Sequence, residues 1–255
     1  MAFLMGLDMY SRRLFIISTR PEEKFARSVH GSCFDILNIP VTKIIRRPYG
    51  EIESEVFPWR YDGIVLTSST GSSIFLEMAE RHALDFHGPA YCIGDKTAEP
   101  LRKVGMEVIV PERRETDGLL EIIMEHRKIG SMLLLFRSGK GNPALKSGLE
   151  RNGFSVNEVV CYNVEPLDNP EMKKQLERRE NKGIIFTSSM EVTSFFKFNS
   201  PESVQGKKVF AIGNPTKKTL ADHGIMVGEP TGRSDFNQLV SDIGKKFCTD
   251  SGEWI

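Results

Sequence analysis

The feature that most constrains this chain is a repeat. GIVLTSST at residues 63–70 returns as GIIFTSSM at residues 183–190, a spacing of 183 − 63 = 120. The neighbours return in the same order. YCIGDKTAEPLRKVGMEVIVP (91–111) falls on FAIGNPTKKTLADHGIMVGEP (210–230), with Ile93-Gly94 over Ile212-Gly213. The amphipathic stretch ETDGLLEIIMEHRK (115–128) falls on the segment around RSDFNQLVSDIGKK (233–246), and LFIISTR (14–20) stands 120 residues before LLFRSGK (134–140). A period of this length is too long for a solenoid and suits a small α/β domain. The sequence therefore reads as an internal duplication.

Each copy alternates short apolar runs with capped amphipathic stretches. LFIIS, GIVLT, MLLLF and GIIFT show no polar alternation, as expected of strands covered on both faces. Further strands are expected at FDILNIP (34–40), YCIG, MEVIV, SVNEVVCYNVEP (155–166), VFAIG and IMVG. Helix starts are signalled by Pro21 with Glu22-Glu23, Ser68-Ser69, Asn142-Pro143, Asn169-Pro170, Ser188-Ser189, Asn214-Pro215 and Ser234-Asp235. Gly105 and Gly153 stand where left-handed caps close helices. The helix from Asn169 is expected to run to near Asn181, and only a short segment interrupted by Pro58 precedes GIVLT. VTKIIRRP (41–48) alternates and carries charge, as an exposed ribbon would. The pattern implies an α/β fold with parallel sheets, whose ligands gather at the carboxyl ends of the strands.

Composition removes several classes of function. Thirty-four basic residues balance 34 acidic ones, and the basic pairs are scattered, which argues against a nucleic-acid partner. Cys33, Cys92, Cys161 and Cys248 lack CxxC spacing and read as thiols of a reducing cytoplasm; five scattered histidines, His82 and His87 among them, complete no metal pattern. No run reaches the ~18 apolar residues of a membrane span. Arg12-Arg13 follow the apolar start of the chain, the wrong polarity for a signal peptide. Neither GxxxxGK[ST] nor GxGxxG after a strand is present.

The chemistry that remains is anion binding. Thr67-Ser68-Ser69 and Thr187-Ser188-Ser189 put hydroxyls and backbone N–H groups at strand ends, where the following helix adds its positive pole. Thr97 and Thr216 take matched places in the two IG turns. Helix capping alone explains any one of these turns, whereas four in matched positions fit a ligand with several carboxylates or phosphates. Arg20 and Arg137, each just past the first strand of a copy, could add charge or lie on the surface. SSTGSS (68–73) resembles the phosphate loop of flavodoxins, which would make the chain an FMN-binding electron carrier; the second copy, SSMEVT, drops the glycine.

Together STRP (18–21), LTSS (66–69), IGDKTAEPLRKVG (93–105), LLFRSGKGNPALKSGLERNGF (134–154), VVCYNVEP (159–166), FTSS (186–189), IGNPTKKTLADHG (212–224) and SDFNQLV (234–240) resemble the uroporphyrinogen-III synthase family over Leu14 to Lys246. The resemblance implies two flavodoxin-like lobes with parallel sheets joined by a two-stranded β ribbon. Residues 1–40 with 167–255 would form one lobe, 48–159 the other, and 41–47 with 160–166 the ribbon. It implies an enzyme that cyclises hydroxymethylbilane, a linear tetrapyrrole octa-acid, with loss of water and inversion of ring D, to give uroporphyrinogen III. No cofactor or metal is implied, nor any nucleic-acid or membrane partner. A cytoplasmic monomer in transient contact with the upstream bilane-forming enzyme is expected. The closing tyrosine of the family motif falls on Tyr162, whose phenol would help the substrate hydroxyl leave or else pack the hinge. Arg20, Thr67, Ser68, Ser69, Thr97, Arg137, Thr187, Ser188, Ser189 and Thr216 would bind substrate. The family often carries an arginine near Asn142, which this chain lacks. A two-lobed anion-binding module without catalysis is the remaining alternative.

Overall fold

Most of the apolar runs form the expected strands, and those at GIVLT, YCIG, GIIFT and VFAIG are short because a helix follows each at once. The computed structural model describes residues 13–25, 33–57, 60–82, 88–232 and 235–255. Pro58, His87, Ser234 and all but the last residue of the N-terminal extension 1–13 lie outside them. The chain begins β1 (Phe15–Ser18), β2 (Asp35–Asn38), β3 (Thr42–Arg46), α1 (Tyr49–Val56), β4 (Gly63–Leu66), α2 (Ser69–His82), β5 (Ala90–Cys92), α3 (Asp95–Lys103), β6 (Val108–Ile109) and α4 (Thr116–His126). It continues β7 (Met132–Ser138), α5 (Pro143–Arg151), β8 (Ser155–Pro166), α6 (Pro170–Leu176), β9 (Asn181–Phe186), α7 (Ser189–Phe198), β10 (Lys208–Ala211), α8 (Asn214–Asp222) and α9 (Phe236–Phe247).

These elements divide into two units, Met1–Ile44 with Glu165–Ile255 (unit 1) and Ile45–Val164 (unit 2). The boundaries fall inside β3 and β8, which are neighbours in one sheet. In unit 1 the strand order is β10-β9-β1-β2, all parallel. Ile17, Ile184 and Phe186 pack on one face with Val192 and Phe195 of α7 and Leu220 of α8. Ile16, Ile185 and Phe210 pack on the other with Leu239, Val240 and Ile243 of α9. Unit 2 has the order β3-β8-β7-β4-β5-β6. Its face formed by Val65, Tyr91, Leu133 and Leu135 is covered by Leu119 and Ile123 of α4 and Leu145 and Leu149 of α5. With both faces covered, alternation has nothing to select for, hence the uninterrupted apolar runs.

The sheets show how the duplication is used. β1 and β2 belong to the first sequence copy, yet they pair beside β9 of the second; β7 and β8 of the second copy pair beside β4 of the first. Register also revises the match at the front. Ile16 pairs with Gly183 as Leu133 pairs with Gly63, so the equivalent positions lie 133 − 16 = 117 apart, and Arg20 corresponds to Arg137. The string similarity at a spacing of 120 is displaced by three residues from this register.

Several expectations fail for local reasons. Residues 225–228 form no strand: they touch the sheet through the Gly228 N–H on the Val209 carbonyl, Met226 is 92% exposed, and Pro230 supplies no N–H to extend a ladder. MEVIV contributes only two residues to the edge strand β6. The segment before GIVLT contains α1, whose Ile52 and Val56 are buried one turn apart. The helix from Pro170 stops at Leu176, with Glu177 at its C-cap, and the buried Asn181 instead opens β9. Pro21 caps one 3-10 turn, Glu22–Lys24. The cysteine reading needs correction too. Cys33, just before β2, and Cys248, just after α9, form a disulfide with Cα atoms 5.7 Å apart; the fold brings together residues 215 apart in sequence, a proximity with no local signature. Cys92 and Cys161 are free and buried. No helix among the described residues is long and apolar enough to cross a membrane.

Candidate active site

The carboxyl ends of β4, β7 and β8 in unit 2 converge on one phenol. After Leu66 the chain turns into α2 with Ser68 at its head, where Ser68 Oγ accepts a hydrogen bond from the Gly71 N–H at 3.0 Å. Ser138, the last residue of β7, pairs with Tyr162 of β8 across a bulge, and the Gly139 N–H donates to the Tyr162 carbonyl at 3.0 Å. Tyr162 is only 4% exposed, and its hydroxyl donates to Ser68 Oγ at 2.9 Å. The hydroxyls of Ser138 and Thr70 also lie against the phenol. Burial raises the Tyr162 pKa, and the Ser68 hydrogen bond opposes the rise. The group therefore stays protonated through the neutral range and serves as a hydrogen-bond donor.

Ser68 Oγ accepts two hydrogen bonds and still has its own proton to give. The hydroxyls of Thr67 and Ser69 have no acceptor among the described residues. The N–H groups of Ser69 and Thr70 lie in the first turn of α2, where no intrahelical acceptor exists. These neutral donors share the positive end of a 14-residue helix. Thr97 is buried, and its carbonyl accepts from Ser72 Oγ at 2.8 Å, tying α3 to α2.

Arg137 does not join that donor set. It is 4% exposed; Nε donates to Glu158 at 2.7 Å and Nη1 to the Asn142 carbonyl at 2.5 Å. Gly141 is needed beside it, since a Cβ there would lie 2.6 Å from the Arg137 side chain. Asn142 caps α5 by accepting from the Ala144 N–H at 3.0 Å. Where the family often has an arginine, this chain thus has a cap whose carbonyl is held by Arg137.

The matching turn of unit 1 is already filled. The carboxylate of Glu191, 3% exposed, accepts from the Thr187 N–H at 2.8 Å, Thr187 Oγ1 at 2.7 Å and Ser188 Oγ at 3.2 Å. Thr19 Oγ1 lies 2.7 Å from the same carboxylate and 3.0 Å from the Ile185 carbonyl, with one proton for both. Thr187 and Ser188, expected as free donors, are therefore engaged internally. Ser189 Oγ donates to the Pro215 carbonyl at 3.2 Å and accepts from Thr219, linking α7 to α8. Thr216 is buried in α8. Arg20 lies at the end of β1 with its guanidinium 4.7 Å over the Phe236 ring. Burial lowers its pKa, with Glu191 and Asp235 opposing, and its buried Nε has no hydrogen-bond partner among the described residues.

Glu191 was legible as the last member of a Ser-x-x-Glu capping box beginning at Ser188; Ser138 and Thr70 carry no signal of their own. A cavity of about 600 Å³ in unit 1, lined by residues including Leu176, Phe198 and Lys207, lies at the amino-terminal side of β9 and β10 and touches none of the candidate residues.

A sequence model described as uroporphyrinogen-III synthase HemD matches residues 23–233. An Archaeoglobus fulgidus protein assigned as a uroporphyrinogen-III synthase is 28% identical over 224 residues, which cover 84% of this chain and 92% of that one. Among solved structures, a mutant uroporphyrinogen-III synthase of Thermus thermophilus superposes with a TM-score of 0.66 at 20% identity, covering 89% of this chain and 96% of that chain. The Helicobacter pylori uroporphyrinogen-III synthetase gives 0.59 at 15% identity, covering 84% and 91%. At these identities the two structures speak to the fold alone.

Proposed function

Given that the chain belongs to the uroporphyrinogen-III synthase family, we propose that the donor cluster of unit 2 is where this enzyme of tetrapyrrole biosynthesis engages hydroxymethylbilane. The observation that carries the reading is the hydrogen bond from the Tyr162 phenol to Ser68 Oγ at 2.9 Å. It sets a protonated, oriented donor beside hydroxyls and helix N–H groups that suit a substrate carboxylate.

Ring closure requires the hydroxyl of the bilane to leave. A pyrrole nitrogen pushes it out, the Tyr162 phenol exchanges Ser68 Oγ for the departing oxygen as its acceptor, and water is released; the pyrrole N–H proton returns the phenol to its neutral form. A phenol whose pKa is raised by burial is a weak acid, so its part is to steady the oxygen as the bond breaks. Holding the two chain ends together contributes more to the rate than any single acid. Thr67, Ser69 and Thr97 are proposed substrate contacts in unit 2, and Arg20 and Thr216 in unit 1; Ser189, like Thr187 and Ser188, is engaged within unit 1. The enzyme is taken to work as a cytoplasmic monomer that receives its bilane by transient contact with the enzyme forming it, because the free substrate closes unaided to the symmetric isomer. The cysteines lend the location no support, since Cys33 and Cys248 are bonded.

The test supplies freshly made hydroxymethylbilane, oxidises the products and separates type I from type III porphyrins. Predominant type III is expected. Tyr162→Phe should lower turnover by about 10²-fold, the low end for general acid assistance, with the fold intact by circular dichroism. Unchanged turnover would leave Tyr162 a packing residue. Type I alone from folded wild-type protein would favour the anion-binding module.

A further inference from the structure

The two copies of the Thr-Ser-Ser turn have parted at one position. Three residues after the capping serine, unit 1 has Glu191 and unit 2 has Gly71, and 191 − 71 = 120 matches 188 − 68. In both turns that residue's N–H donates to the serine hydroxyl, at 3.2 Å from Glu191 and 3.0 Å from Gly71. The turns thus share one backbone arrangement. What differs is the occupant. In unit 1 a buried carboxylate collects the Thr187 N–H and the hydroxyls of Thr187 and Ser188. In unit 2 the corresponding Thr67 N–H and Thr67 hydroxyl have no acceptor among the described residues, and the serine is bonded by the Tyr162 phenol instead.

We propose that Glu191 is a built-in anion that withdraws the unit 1 turn from substrate binding, and that Gly71 leaves the unit 2 turn, beside Tyr162, open to a substrate carboxylate. The unit 1 turn shows that this backbone and its hydroxyls hold a carboxylate when one is supplied. Glu191 is a specificity-determining residue because it restricts that supply to one side of the duplication. The proposal rests on the synthase reading for its substrate, while the cradle itself does not.

Two experiments separate these. First, Gly71→Glu should fill the unit 2 turn from within and raise KM for hydroxymethylbilane by about tenfold, the equivalent of one charge-assisted contact. Gly71→Ala, whose Cβ would lie 3.2 Å from Ser68 Oγ, should show only the smaller rise that lost space causes. Equal KM values for the two variants would overturn the proposal. Second, Glu191→Ala should unfold at a lower temperature and regain part of the loss in about 100 mM acetate beyond what chloride of equal ionic strength restores, as mass action on a vacated site requires. Glu191→Gln, which keeps the volume filled, should not respond to acetate. Acetate acting no better than chloride on Glu191→Ala would also overturn it. The acetate result stands whatever the chain catalyses, whereas absence of type III product from wild-type protein strikes the synthase reading.

Discussion

A guanidinium at the end of a strand can meet a ligand or fasten the fold, and Arg20 and Arg137, equivalent in register, divide these uses. Arg137 reaches Glu158 and the Asn142 carbonyl and is consumed; Arg20 keeps a buried Nε without a partner among the described residues. Their sequence positions are alike, and the difference lies in Glu158, one strand over in β8. The cysteines divide in a similar way. Burial pushes the thiols of Cys92 and Cys161 up to about 12, against roughly 8.5 for a free thiol. Folding thus favours their protonated form; this contribution to stability is complete below about pH 8.5 and is lost as the pH rises toward 12. Titration with a thiol reagent at pH 8 should find no reactive group in the native protein, two in denaturant and four after reduction, because two cysteines are free and two are bonded. Four in denaturant without reductant would show Cys33 and Cys248 unpaired.

At the scale of elements, the repeated GI of β4 and β9 looks the same in both copies but is held differently. A Cβ on Gly183 would run into the Lys208 carbonyl of the neighbouring strand, which is backbone and cannot swing aside. On Gly63 it would meet the edge of the Tyr91 ring at 3.0 Å and the Pro89 carbonyl at 3.3 Å. Gly183→Ala should therefore cost about 1–3 kcal/mol of overpacking, and Gly63→Ala less, as the shift in urea midpoint would show. Equal shifts would mean that β9 and β10 separate freely. The strands, their order along the chain and most helix starts were legible because apolar runs and caps are local signals; Asn142, Asn169 and Asp235 each accept the N–H bond expected of a cap. The fate of 225–228 was not, since a run of Ile, Met and Val says nothing of whether an edge will accept it. Nor was α1, whose two buried residues are outnumbered by acidic ones. Within the site, the Thr-Ser-Ser turns were visible as donors, but whether each donor was spent depended on Glu191, Tyr162 and Glu158 reaching it in three dimensions.

On the scale of the whole molecule, the duplication is not a pair of self-contained domains. Each copy lends its first two strands to the other copy's sheet, so a copy cut out along the sequence repeat has edges with no partner. A fragment of residues 45–164 keeps β4 to β8 together and should fold cooperatively, whereas residues 14–130 would hold β1 and β2 without β9 and should not. Matching far-ultraviolet spectra and melting curves for the two fragments would contradict this. The sulfur bridge outside those strands adds a topological consequence. Between Cys33 and Cys248 the backbone closes into a covalent ring, and all of unit 2 is strung on it. A protease that nicks unit 2 once opens the ring without releasing a piece, so the cut protein should run at its full mass until dithiothreitol splits it in two.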